Sequence, residues 1–170
     1  MKRKTSTDKR LQALRQSFDE SFAASIARPP VKESFLAIRL GKRTHALPLA
    51  DIGGMFARKH VTRLPTAQPA LLGLAHFRGT MAPVYDLQLL LGHAPAEQPG
   101  WLVIARAAPV AFAFERFEGH LHVAREDIVT DETGTPGDEP QISIRANGKL
   151  LPVVQLRSVL RVIETMMSAA

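Results

Sequence analysis

Apolar positions in the first thirty residues follow a helical period. Leucine, phenylalanine and isoleucine recur every three or four residues between charged positions, as in an amphipathic helix; these positions are Leu11, Leu14, Phe18, Phe22 and Ile26. Pro29 and Pro30 follow, and proline ends a helix because it lacks the backbone N–H and clashes with the preceding turn. We therefore predict an N-terminal amphipathic helix that ends before a short linker.

After the linker the pattern changes to short β-like runs separated by turn residues. Runs at 34–40 and 44–49 flank a Gly41-Lys42 turn and predict a hairpin. The same reasoning predicts strands at 73–77, 80–85, 101–106, 110–114, 117–124, 142–146 and 149–154. Asn147-Gly148 between the last two runs is the strongest hairpin signal in the chain. Residues 87–91 predict one helical turn closed by Gly92.

A segment rich in proline and alanine, at 93–100, divides the β-rich part into two similar halves. Each half contains a strand that leads into a helix, PVYDL at 83–87 and PVVQL at 152–156. This weak internal repeat predicts two small barrels that share a hydrophobic interface. We expect a mainly β protein with an extension at 1–33, a first barrel at about 34–92, a second at about 100–155 and a closing helix at 156–164.

The composition fits a soluble globular protein. The 170 residues are 45% hydrophobic and 22% charged, which is enough to form one domain, or two very small ones with a common core. The absence of cysteine excludes a disulfide scaffold, a thiolate zinc site and a cysteine nucleophile, and it fits a reducing compartment. No signal-peptide pattern or membrane-spanning apolar run is present, so we expect a cytoplasmic protein.

The basic charge of the chain belongs mostly to its tail. Of the net charge of +6, residues 1–33 contribute +4 (eight Lys/Arg and four Asp/Glu), and the remaining 137 residues contribute +2 (fourteen and twelve). A basic amphipathic tail gives an alternative function, binding of nucleic acid or of a membrane surface. The single Trp and single Tyr argue against a stacking platform for single-stranded nucleic acid.

No constellation of reacting groups stands out in the sequence. His120 and His122 share one face of a predicted strand and could bind a metal, but no carboxylate or third histidine lies at ligand spacing. A solvent-facing pair is the favoured interpretation. Nucleotide-binding and nucleophile-elbow motifs are missing, and no carboxylate pair is spaced for acid–base work. We therefore predict no catalysis, cofactor, metal or small-molecule substrate.

The turn formed by Phe77, Arg78 and Gly79 is the best candidate for a binding site. Gly79 can adopt positive φ and bring the backbone close to a partner. Arg78 supplies a planar set of donors that suits a carboxylate or a group of carbonyls. The plainer interpretation is a surface arginine beside a hairpin glycine. Two apolar runs flank the turn, and this context favours a recognition surface over an active site.

Three successive segments carry a family resemblance. They are SFLAIRLGKRTHALPLADI at 34–52, VTRLPTAQPALLGLAHFRG at 61–79 and TMAPVYDLQLLLG at 80–92. Over residues 34–164 the chain resembles CheW-like domains, the adaptor modules of bacterial chemosensory arrays. The resemblance implies two intertwined five-stranded SH3-like barrels and no catalysis. It also implies two partners, the regulatory domain of a CheA-type histidine kinase and the cytoplasmic tip of methyl-accepting receptors, through which the protein would reach the membrane indirectly.

The resemblance also implies a receptor-binding site. Arg78 matches the arginine of the family motif, and Ile52 matches the apolar position beside the neighbouring groove. The candidate receptor-binding residues are Ile52, Gly54, Phe77, Arg78 and Gly79.

Four positions depart from the family pattern. Gly54 replaces an acidic residue, His76 replaces the motif asparagine, and Glu115 and Gln155 stand where the family favours aspartate. Such departures are typical of CheW-like proteins from type IV pilus or alternative chemosensory systems.

Overall fold

The computed structural model of the chain describes residues 32–96, 98–131 and 141–168. The predicted N-terminal helix lies outside these residues. The described strands are β1 (Lys32–Leu40), β2 (Arg43–Pro48), β3 (Ile52–Ala57), β4 (Leu71–Phe77), β5 (Thr80–Asp86), β6 (Trp101–Ala105), β7 (Ala111–Phe114), β8 (Arg116–Ala124), β9 (Ile128–Asp131), β10 (Gln141–Ala146) and β11 (Lys149–Pro152). The described α-helices are α1 (Leu87–Leu90) and α2 (Leu156–Ser168), and short 3-10 helices lie at Leu49–Asp51 and Arg125–Asp127.

One five-stranded sheet holds the middle of the sequence, in the order β3-β6-β7-β5-β4. Adjacent strands in this sheet are antiparallel, except for β5 and β7, which are parallel. The chain after β3 returns to the opposite edge, where Thr62 and Leu74 exchange backbone hydrogen bonds of 2.8 and 2.9 Å. Gly73 permits this approach, because a Cβ at this position would lie 2.1 Å from the Thr62 carbonyl oxygen. We call this unit, residues 52–114, the inner barrel.

Two three-stranded sheets, β2-β1-β8 and β11-β10-β9, combine strands from both ends of the described chain. A parallel bridge between Ala46 and Val153 links them, and the Val154 N–H donates to the Ala46 carbonyl at 2.8 Å. We call this unit, residues 32–48 and 116–152, the outer barrel.

The barrels do not follow the division predicted from chain order. The expected boundary near residues 92–100 falls inside the inner barrel, while β1 pairs with the distant β8. Sequence pattern finds neighbouring strands, but the pairing of β1 with β8 depends on a contact between residues about eighty positions apart. The two hairpins predicted at Gly41-Lys42 and Asn147-Gly148, β1–β2 and β10–β11, are present, and the other predicted strands form the hairpins β4–β5 and β6–β7.

Three apolar clusters fill the two barrels and the space between them. One lies in the inner barrel around Phe77 and Val84, and one lies in the outer barrel around Phe35 and Ile144. The third and largest joins both barrels to α2, whose Leu156, Val159 and Ile163 face inward at helical spacing. Leu87 of the first repeat and Leu156 of the second both lie in this shared cluster, so the internal repeat corresponds to two strand-to-helix corners that meet in one core.

Candidate functional site

The β4–β5 hairpin presents Arg78 on a tight two-residue turn. Phe77 and Thr80 are the last paired residues, so Arg78 and Gly79 alone make the turn. Their φ values are 43° and 91°, and a type I′ turn requires positive φ at both positions. Such a φ is uncommon for a residue other than glycine. The side chain of Arg78 is exposed at the tip of the hairpin, as the sequence predicted.

Phe77 supports the hairpin from inside instead of facing a partner. Its side chain is 3% exposed in the inner-barrel cluster. The ring of Phe56 on β3 packs against it, with the two centroids 5.0 Å apart. The Lys59 ammonium lies 5.7 Å from both ring centroids, within reach of a cation–π contact. This contact fixes the root of the hairpin against the end of β3.

Gly54 belongs to the same structural unit. A Cβ at this position would lie 3.1 Å from the Phe56 ring, so an acidic side chain would require that ring to move. The departure from the family pattern therefore has a local physical reason. The glycine makes room for the ring that supports Phe77.

Ile52 lies apart from the turn. Its side chain is 5% exposed in the cluster between the barrels, so it does not line an open groove as the resemblance implied. Its carbonyl accepts a 2.8 Å hydrogen bond from the Arg106 guanidinium, which also donates to the Ala50 carbonyl at 2.7 Å. Arg106 thus fixes the start of β3, a role that no sequence motif indicated.

An open groove of about 370 Å³ runs beside the hairpin between β4–β5 and the segment that follows β3. Its cationic and imidazole lining comes from Arg58, Lys59, His60 and His76. Met81 closes one side and is 60% exposed. Among the described residues, no carboxylate forms an ion pair with Arg58, Lys59 or Arg78. We call these residues, together with Arg78 and Gly79, the hairpin groove.

Arg78, Gly79 and His76 are the members of the groove that the sequence analysis singled out, and the other members were not singled out there. The run Arg58-Lys59-His60 is visible as a charge cluster, yet its position beside β4 depends on the crossing of Thr62 over Gly73. The other departures from the family pattern lie elsewhere. The Glu115 carboxylate accepts a 3.2 Å hydrogen bond from the Gln88 amide, and the Gln155 carbonyl accepts the first backbone hydrogen bonds of α2.

His120 and His122 share one face of β8, with ring centroids 4.3 Å apart. The Ser34 hydroxyl lies 3.3 Å from Nδ1 of His122. No group of three or more His, Asp or Glu side chains within the described ranges is placed to hold a metal ion.

A family model, the CheW-like domain, matches residues 34–164. The chain belongs to the CheW-like family. The scaffolding protein TtCheW from Thermoanaerobacter tengcongensis is similar in structure, with a TM-score of 0.65 and 14% identity over 76% of this chain and 92% of TtCheW. At this identity the similarity shows a common fold. None of the curated proteins matches the chain significantly.

These comparisons confirm the predicted family and the predicted mainly β fold with two SH3-like barrels. For a CheW-like chain they support an adaptor or scaffold role in chemotaxis signalling. Within the described part of the chain, no helix is long and apolar enough to cross a membrane.

Proposed function

We propose that this CheW-like protein is a non-catalytic adaptor that couples methyl-accepting receptors to a CheA-type histidine kinase, with the receptor tip bound at the hairpin groove. The observation that carries the proposal is the exposure of Arg78 on a two-residue turn anchored by buried Phe77. A turn held in this way loses little conformational entropy when a partner binds.

The chemistry of the groove suits a helix with acidic and apolar positions. Arginine and methionine are both enriched in protein interfaces, and here Arg78 lies close in sequence to the exposed Met81. Arg58 and Lys59 add positive charge that no described carboxylate neutralises. Carboxylates on a receptor helix would face these cations, while an apolar residue would pack on Met81.

The kinase contact is assigned to the outer barrel. There Leu150 on β11 is 59% exposed, while the end of this strand is joined to β2 by the Ala46–Val153 bridge. An apolar side chain that projects into solvent would be buried by packing on a homologous barrel of the kinase. The two partners would then bind different barrels, and the adaptor could hold both at once.

A pull-down from detergent-solubilised cells of the native host tests both contacts. The baits are the wild type, Arg78→Glu, Leu150→Asp and Lys42→Glu, and captured proteins are identified by mass spectrometry. Lys42→Glu is the matched control, because it reverses a charge in another exposed hairpin turn.

We expect wild type and Lys42→Glu to recover both partners, Arg78→Glu to lose the receptor only, and Leu150→Asp to lose the kinase only. Failure of the wild type to recover either partner would contradict the adaptor role. Equal receptor recovery by Arg78→Glu would contradict the proposed site.

The alternative, binding of nucleic acid or of a membrane surface, depends on the basic tail at residues 1–33, nearly all of which lies outside the described residues. It predicts a salt-sensitive affinity for DNA or anionic vesicles that disappears when residues 1–30 are deleted.

A further inference from the structure

A second pocket lies where the two barrels meet, away from the hairpin groove. Its volume is about 430 Å³, within the range of small-molecule sites. Lining residues come from β2, the turn after α1, the β10–β11 hairpin and the start of α2. Sites between structural units are frequent places for ligand binding.

His45 on β2 is the unusual member of this lining. Its side chain is 7% exposed, and Nδ1 is buried with no hydrogen-bond partner among the described residues. Buried polar atoms without partners are rare, because each loses its hydrogen bonds to water on folding. An unpartnered ring nitrogen at the wall of a pocket points to a ligand that supplies the missing bond.

His93 is held opposite His45 by the end of α1. Gly92 has a φ of 76°, and the N–H groups of His93 and Gly92 donate to the carbonyls of Gln88 and Leu89 at 2.9 and 3.0 Å. This is the hydrogen-bond pattern of a Schellman cap. The cap fixes the backbone of His93, and the two imidazole centroids lie 6.0 Å apart.

Arg43 adds a permanent positive charge to the same wall. It lies two residues before His45 on β2, and alternate residues of a strand share one face. Among the described residues, the charged or titratable members of the lining are Arg43, His45 and His93, and none is a carboxylate. A guanidinium beside two imidazoles forms an environment that favours negative charge.

We propose that this pocket binds a small organic anion that carries a carboxylate or phosphate group, with Arg43, His45 and His93 as its ligands. A transition metal fits less well, because the described residues offer only two histidines and not the third protein ligand that such sites use. Burial lowers the pKa of His45 below its ordinary value of 6.5; a hydrogen bond between the His45 ring and the Arg43 backbone opposes this shift, and the charges of His93 and Arg43 add to it. A bound anion would oppose this lowering and favour protonation of His45.

NMR spectroscopy of the histidine rings in the full chain tests the proposal. Inorganic phosphate and succinate are titrated separately into the wild type, Arg43→Gln and Arg116→Gln at pH 6 and pH 8. Arg116→Gln is the matched control, since Arg116 is an exposed arginine outside the pocket. Zn²⁺ is titrated in a separate experiment, to test whether the two histidines bind a metal ion instead of an anion.

We expect saturable shifts of the His45 and His93 signals with at least one of the two anions. Binding should be tighter at pH 6 than at pH 8, because protonated imidazole attracts an anion. Arg43→Gln should weaken binding about tenfold or more, because a charge-assisted hydrogen bond to the anion is lost. Arg116→Gln should leave the affinity unchanged. Equal shifts in all three proteins would overturn the site. Binding of Zn²⁺ alone, weaker at pH 6 and insensitive to Arg43→Gln, would overturn the anion assignment.

Discussion

Two hairpins of this protein use the same turn with different residues. The β10–β11 turn has Asn147 and Gly148 with φ values of 51° and 71°, and the β4–β5 turn has Arg78 and Gly79 with 43° and 91°. Asparagine adopts this conformation readily, because its short side chain bonds locally, whereas arginine does so at a cost in free energy. The outer-barrel turn therefore suits its backbone, and the inner-barrel turn accepts strain to expose a guanidinium. Strain of this kind concentrates at functional positions.

The support beneath the two turns also differs. Phe77 precedes the arginine turn and is 3% exposed against Phe56, while Ala146 precedes the asparagine turn. The inner barrel thus stabilises its unfavourable turn with an aromatic contact. The receptor contact proposed at this turn would therefore form with little rearrangement of the hairpin.

Gly73→Ala should have the largest effect on the inner barrel. The new methyl group would collide with the Thr62 carbonyl, and φ at this position is 143°. We expect a loss of about 3 kcal/mol or more in the free energy of unfolding, measured by urea denaturation. Gly148→Ala is the control: its φ is also positive but its Cβ meets open space, so about 1 kcal/mol should be lost. Equal losses for both variants would show that Gly73 does not close the barrel.

Glu118 should make the outer barrel sensitive to acid. Its carboxylate accepts hydrogen bonds from Arg39 at 2.6 Å and Thr44 at 2.7 Å, which joins β8 to β1 and β2. Burial raises the pKa of Glu118, but these bonds and the charges of Arg39 and Arg116 outweigh it, so the pKa lies below its ordinary value of 4.5. The folded state therefore binds the proton more weakly than the unfolded state.

The stabilisation from Glu118 is thus complete above pH 4.5 and disappears as pH falls through the folded-state pKa. Glu118→Gln should unfold about 1 kcal/mol more easily at pH 7, and the difference from wild type should shrink in acid, as followed by denaturation at several pH values. Glu126→Gln, at an exposed position, is the control. A difference that stays constant down to pH 3 would contradict this assignment.

Exchange of the two turn residues should have the smallest effect on stability. Arg78→Asn should stabilise the protein by about 0.5 kcal/mol, and Asn147→Arg should destabilise it by a similar amount, because asparagine tolerates positive φ better. Thermal denaturation of both variants checks the two signs. If Arg78→Asn is destabilising, the arginine makes a stabilising contact, and the comparison of the two turns fails.

Local signals predicted most strands of the fold, and long-range contacts account for what was missed. The turns Gly41-Lys42 and Asn147-Gly148 identified their hairpins. The sequence pattern missed β9, because it is short and largely exposed, and β3, because it begins with the residues Ile-Gly-Gly. At the candidate site, Arg78 could be found because turn chemistry is local. The contribution of Lys59 to the groove and the burial of Ile52 could not be predicted, because both depend on which distant strands meet.

The most direct test of the central claim is a calorimetric titration of a receptor cytoplasmic-tip fragment into the wild type and Arg78→Asn. This variant keeps a residue suited to the turn and removes only the guanidinium. We expect saturable binding to the wild type and an affinity lower by about tenfold or more for Arg78→Asn, because charge-assisted hydrogen bonds are lost. Equal affinities would contradict the claim that the strained arginine turn is the receptor contact.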